Sequence, residues 1–209
     1  MKTKDSLPQR TRRFARWGVW LVGGTLAYNV IEAGVALWAG TEADSIALLG
    51  FGLDSVIEVA AAAVLLWRLV VEILSEDTDR VERAERRVHR FIGLTFLALA
   101  IYVITQSILT LTSRSQPQES LVGIVLAAAS LMVMPLIGWA KLRVAGRLQS
   151  RALRAEAKET LACAYLSLAL LLGLLLNAIL GWWWADPAVA LLMVPWLLKE
   201  GSEGLRGED

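Results

Sequence analysis

Two pairs of side chains in this sequence have the types and the spacing to hold a metal ion. Asp54 and Glu58 are four residues apart, and so are Glu159 and Cys163. Residues four apart on a helix share a face, so each pair presents two donors side by side. Glu156, three residues before Glu159, falls on nearly the same face. Two such faces packed together place three carboxylates and a sulfur around one ion, a four-donor set that suits tetrahedral Zn²⁺. Carboxylates also suit Mn²⁺ and Fe²⁺, whereas a thiolate draws Zn²⁺, Co²⁺ or Cd²⁺. Zn²⁺ is the favoured ion on this set. Cys163 taken alone reads as a small buried hydrophobe, and a single cysteine forms no internal disulfide.

These residues lie in an apolar chain. Of 209 residues, 56% are hydrophobic, and they fall in blocks. The blocks cover residues 15–39, 43–73, 91–112, 119–141, 157–180 and 183–198, which approach or exceed the length of about 20 residues that crosses a bilayer. Backbone groups in lipid must be satisfied internally, by helices or a closed barrel. The runs are too long and too continuous for barrel strands, which alternate over about ten residues. The expectation is an all-α, polytopic protein of six transmembrane helices. It forms a single transmembrane domain over residues 1–209, with no soluble C-terminal domain. The first block exceeds a secretory h-region and contains Asn29 and Glu32, so it reads as an uncleaved span.

Charge placement gives the orientation. Of 21 lysines and arginines, twenty fall in the N-terminal segment, around the second–third and fourth–fifth connections, or in the C-terminal tail. The fourth–fifth group is Lys141, Arg143, Arg147, Arg151, Arg154 and Lys158. Only Arg114 lies in the other three connections, which carry Glu42, Asp44, Glu119 and Asp186. Positive charge marks the cytoplasmic side, so both termini are expected in the cytoplasm. In a bacterium this would be a multi-pass protein of the inner membrane. The charged stretch from Glu72 to Arg90, with the lone His89, reads as a solvated helical surface rather than a ligand set. The basic arms can touch anionic lipid headgroups, and nothing calls for nucleic acid. The tryptophans at 17, 20 and 182–184 read as interfacial anchors.

Ionisable groups inside a membrane are costly and mark function. Asp54 and Glu58 have no cheap structural explanation, since the helix interiors read as free of basic residues. Three carboxylates in contact repel one another, and a divalent cation, protons or both must compensate. Glu32, with Asn29 one turn earlier, and Glu156 are candidates to stand beside the ion or to hand on protons. Gln106 and Asn177 read as hydrogen-bond partners between helices. The polar pairs fall on the middle helix of each three-helix half, the layout of inverted-repeat transporters with a site between the halves.

At this point the residues resemble a known family. The segment from Ser45 through Ala47 and Leu48 to Asp54 and Glu58 is similar to the second helix of the cation diffusion facilitator superfamily, with Asp54 and Glu58 on its two ligand positions. The segment from Arg154 to Cys163 resembles the fifth-helix motif, with Glu159 and Cys163 on the ligand positions. Ala185, Asp186 and Pro187 resemble the start of the sixth helix. The resemblance implies a homodimeric secondary transporter that moves a divalent metal by alternating access, commonly exporting Zn²⁺ in exchange for protons. Three departures stand out. The ligand set has no histidine, Phe51 replaces an acid, and the family's usual cytoplasmic domain has no counterpart. The branch of vesicular zinc transporters without that domain looks closer. Neither a catalytic residue nor a bound cofactor is expected. Two other readings remain at this stage: an intramembrane metal-dependent hydrolase, and a non-transporting membrane subunit or metal sensor.

The orientation makes a direct prediction. A reporter active only in the cytoplasm should be active when fused after Arg206 and silent when inserted between Arg114 and Glu119. The reverse pattern would overturn the assignment.

Overall fold

The computed structural model describes the backbone of residues 9–74, 78–148 and 151–206, and the side chains of residues 17–63, 90–147, 153, 154 and 156–206. The N-terminal basic cluster, Arg68 and the charged 72–89 stretch with His89 lie outside the described side chains. The chain forms six helices: α1 Gln9–Ala43, α2 Ile46–Leu74, α3 Thr78–Ser113, α4 Leu121–Leu148, α5 Arg151–Leu180 and α6 Ala185–Arg206. There is no strand among the described residues. The all-α expectation holds.

Five of the helices, α1 to α5, are long and apolar enough to cross a membrane. The sixth differs. At 22 residues it is about 33 Å long, enough for a bilayer core of about 30 Å. Yet its uncharged stretch is only residues 187–198, bounded by Asp186 and Lys199. Its buried face, Val189, Ala190, Met193, Val194, Leu197 and Gly201, recurs at helical spacing against the bundle. That face, rather than an apolar shell, holds α6 in place.

The helices run past the apolar blocks at the end where the α2–α3 and α4–α5 connections lie. Residues 142–156 read as a charged loop, but nearly all of them are helical. The reason is packing. Val144 and Ala145 of α4 and Leu153 of α5 bury themselves against Val22 of α1, while Arg143, Arg147 and Arg154 stay exposed. Arg143 lies over the Trp139 ring, 3.4 Å from its centroid, a cation–π contact. A charged stripe on one face therefore does not prevent a helix when the other face has a partner.

Helices α1, α2, α4 and α5 form a ring through α1–α2, α1–α4, α4–α5 and α2–α5 contacts, and the tightly packed α3–α6 pair sits against it. Helices in corresponding positions of the two halves meet: α1 with α4, α2 with α5, α3 with α6. The α3–α6 crossing is close enough to require glycine. A Cβ on Gly93 would lie 2.9 Å from the Gly201 carbonyl oxygen and 2.9 Å from the Leu205 nitrogen. Backbone atoms cannot move aside for it.

The opposite end is laced by polar bonds. Asp186, expected in an exposed turn, is instead buried, at 1% exposure. Its carboxylate accepts the Ser45 hydroxyl and the backbone N–H groups of Ile46, at 2.9 Å, and Ala47, at 3.4 Å. It therefore caps α2 from α6, where the unpaired N–H groups and the helix dipole favour an acceptor. The Ser45 hydroxyl accepts from the Leu48 N–H at 3.1 Å, as an N-cap should. Gln118 donates its N–H to Ala43 at 2.8 Å, and Asn177 donates to the Pro117 carbonyl at 3.1 Å. Asn177 therefore bonds to the α3–α4 connection rather than, as the sequence had suggested, to another helix. Gln106 makes no such bond among the described residues. The stacked rings of Trp182 and Trp184, 5.2 Å apart, edge this end.

Replacing Asp186 with Ala leaves the first N–H groups of α2 buried without an acceptor. The expected cost is about 2 kcal/mol or more, read as a lower unfolding midpoint in detergent. An unchanged midpoint would contradict the cap.

Candidate cation site

Asp54 lies in the middle of the bundle, 2% exposed. Neither of its carboxylate oxygens has a hydrogen-bond partner among the described residues. Leaving a buried acceptor unpaired costs about 1–3 kcal/mol, and more for a charged group. A carboxylate so placed is either serving an absent positive charge or sharing a proton. Glu32, Glu159 and Glu200 lie within electrostatic reach of it.

Glu58, one turn along α2, does have a partner. The Asn29 side chain donates to its Oε2 at 2.8 Å. Asn29 thus joins α1 to the site, and its own Oδ1 is buried without a partner. Glu58 and Glu159 border the same two cavities. The larger, about 80 Å³, is lined by Glu58, Glu159, Glu200 and Glu203 with Phe96 and Trp196 among its apolar wall. The smaller, about 20 Å³, lies between α1, α2, α4 and α5 and adds Asn29, Lys141, Glu156 and Thr160. Both lie toward the end opposite the Asp186 cap. Spacing therefore places Asp54 and Glu58 on α2 and Glu159 on the facing part of α5 as expected.

Cys163 is turned elsewhere. Its Sγ lies 3.7 Å from Glu32 Oε2 and donates to it, and it is 1% exposed. In this conformation no group of three or more His, Cys, Asp or Glu side chains among the described residues is gathered closely enough to hold a metal ion. The four expected donors are thus neighbours, not an assembled coordination shell.

Glu32 is the centre of a network that spans four helices. It is 1% exposed. Its Oε2 accepts the Ser55 hydroxyl of α2 at 3.2 Å as well as the Cys163 thiol of α5. Its Oε1 accepts the Ser130 hydroxyl of α4, and Ser130 is bonded to the Tyr28 hydroxyl at 2.8 Å. Tyr28 lies four residues before Glu32, on the same face of α1. Sequence reasoning found Glu32 but missed Tyr28, Ser55 and Ser130. Serine in a membrane helix is usual, and only its partner across the bundle reveals its use.

Glu156 is paired with a lysine. Lys141, expected in a loop, is fully buried in α4, at 0% exposure. Its ammonium meets Glu156 Oε1 at 2.9 Å and donates to Thr160 at 3.0 Å. The expectation that helix interiors carry no basic residue is therefore corrected. The α5 segment that carries Glu156 packs against α4 inside the bundle, so a lysine at the end of an apolar run became internal. Glu200 and Glu203 of α6 were also missed, because their surroundings read as a polar tail.

A bundle of long apolar helices, with an unpaired carboxylate at its centre and an acid-lined cavity toward one end, defines a polytopic membrane protein. The chain belongs to the cation efflux family, whose transmembrane domain matches residues 25–206. An uncharacterized transporter of Synechocystis sp. is 28% identical over 185 residues, which cover 87% of this chain and 58% of that protein. The chain therefore spans little more than half the length of that relative.

The buried thiol offers a direct check. A local opening that costs about 3 kcal/mol slows modification on the order of 100-fold. Maleimide should accordingly label Cys163 that much more slowly in folded, metal-free protein than after denaturation in SDS. Equal rates would mean that the thiol does not face Glu32.

Proposed function

We propose that the protein is a secondary transporter that moves a divalent transition-metal ion, Zn²⁺ first among them, by alternating access in exchange for protons. The observation that carries this is Asp54: a fully buried carboxylate with both oxygens unpaired, in a chain of the cation efflux family. Asp54, Glu58, Glu159 and Cys163 are the proposed ligands. The ion is the cargo, so a shell that assembles only on its arrival suits release as well as capture.

Three features support the reading. Cavities bordered by Glu58 and Glu159 lie toward the end opposite the Asp186 cap, an arrangement open on one side and closed on the other. Carboxylates that lose the ion can take up protons instead, since like charges this near cannot all ionise. Cys163 can reach the shell by giving up Glu32, and its sulfur biases the set toward Zn²⁺, Cd²⁺ or Co²⁺ over Mn²⁺ and Fe²⁺. Assembly as a homodimer, cytoplasmic placement of both termini and a single transmembrane domain belong to the same proposal. So does placement in the inner membrane of a bacterial cell.

Proteoliposomes loaded with a zinc-sensitive dye test it. Substitution of groups that merely back up a metal ligand lowers affinity 10–100-fold, so Asp54→Ala should lower flux on the order of 100-fold. Equal flux from wild type and variant would sink the proposal.

A further inference from the structure

Lys141 has no role in the reading so far. It is fully buried, and its ammonium is held by Glu156 Oε1 at 2.9 Å and Thr160 Oγ1 at 3.0 Å. The pair is unevenly matched. Glu156, 8% exposed, keeps a second oxygen, Oε2, with no partner. The Oδ1 of Asn29, which also lines the small cavity, has none either. That cavity, about 20 Å³, has room for a single water or ion.

The charge around it is lopsided. Three carboxylates, Glu58, Glu156 and Glu159, border the cavity with one ammonium. When all are ionised, two negative charges are in excess, the amount that one divalent cation carries. Lys141 is within electrostatic reach of Glu58 as well as bonded to Glu156. A buried ion pair is weak as a device for stability, because apolar side chains of similar volume do as well or better. An ammonium fixed beside the carboxylates of a cation path has a different use available to it.

We propose, resting on the transport reading above, that Lys141 is a tethered stand-in for the travelling cation. Its ammonium is bonded to Glu156 and within electrostatic reach of Glu58 when the ion is absent, and competes with the ion for the carboxylates that border the cavity when it arrives. Glu156 is the residue that sets the strength of this competition, because it holds the ammonium to one side. Lys141 is thus a positioning residue: it keeps the acids from collapsing on a bound ion so tightly that release stops.

The signature is a pair of opposite shifts in the concentration dependence of zinc flux. Lys141→Met removes the competitor, so KM for Zn²⁺ should fall roughly 10-fold and kcat should fall with it, as expected when a charged hydrogen-bonding partner is lost. Glu156→Gln frees the ammonium to turn to Glu58 and Glu159, so KM should rise roughly 10-fold by the same measure. An ion pair that only holds α4 to α5 would lower stability in both variants without moving KM in opposite directions. KM unmoved, or moved the same way in both, overturns the proposal. If Lys141→Met does not fold, Glu156→Gln decides alone: a KM that is unchanged or lower refutes the stand-in. The transport reading fails separately, by wild-type flux no greater than that of Asp54→Ala. With wild-type flux present, an absent KM shift counts against Lys141 only.

Discussion

Carboxylates inside an apolar bundle are the constraint on which the rest of this structure depends. Lipid and packed hydrocarbon offer no water to a buried acid, so each must find a donor, a proton or a cation. The chain answers differently at each position. Glu32 receives hydroxyl and thiol donors from three neighbouring helices. Glu58 receives the Asn29 amide, and Glu156 receives an ammonium. Asp186 receives the start of α2. Asp54 receives nothing among the described residues. Asp54 is the group left without a partner inside an otherwise provisioned set, and on the proposal above its partner is the cargo.

The two ends of the bundle follow from the same accounting. At one end the acid is spent on structure: Asp186 ties α6 to α2, while the Ala43–Gln118 and Asn177–Pro117 bonds tie the neighbouring turns together. Such bonds are short-range and directional, so they either hold or break. Toward the other end, Glu58, Glu159, Glu200 and Glu203 line a cavity and repel one another when ionised. On the proposed transport cycle, an ion that neutralises these acids has a differential interaction with the two arrangements of the bundle, which any ligand-driven change requires. The α3–α6 pair packs backbone to backbone at Gly93 and Gly201, against the ring of α1, α2, α4 and α5.

Much of this was legible in the sequence, because the strongest signals are local. Long apolar runs can only be helices in lipid, and the spacing of Asp54 with Glu58 is a property of one helix. The surroundings of Glu159 were legible in part: its helix begins well before residue 157, since Leu153 has a partner that no local pattern names. Cys163 shows the limit most clearly. Its spacing from Glu159 put it on the right face, but its thiol prefers an acceptor on α1, 131 residues away. Lys141 shows the same limit from the other side. A lysine at the edge of an apolar run has two satisfactory fates, snorkelling to the interface or pairing with a buried acid. Only the packing of α5 on α4 chooses between them. Asp186 was taken for a turn residue for the same reason, because its partners lie about 140 positions earlier.

The hold of Glu32 on Cys163 bears on how a soft ligand can be kept in a carboxylate site. A thiol serves a metal only as thiolate, so binding an ion through Cys163 would require its proton to leave. A neighbouring acceptor already in contact with the thiol gives its proton a place to go at the moment an ion approaches. Glu32 is in that position, and its other donors, Ser55 and Ser130, lie on α2 and α4. A change at Cys163 on α5 is therefore felt on all four helices of the ring. On the proposal above, the metal's fourth ligand and the link between the ring helices are the same contact, so binding the ion would release that contact and couple coordination to helix movement.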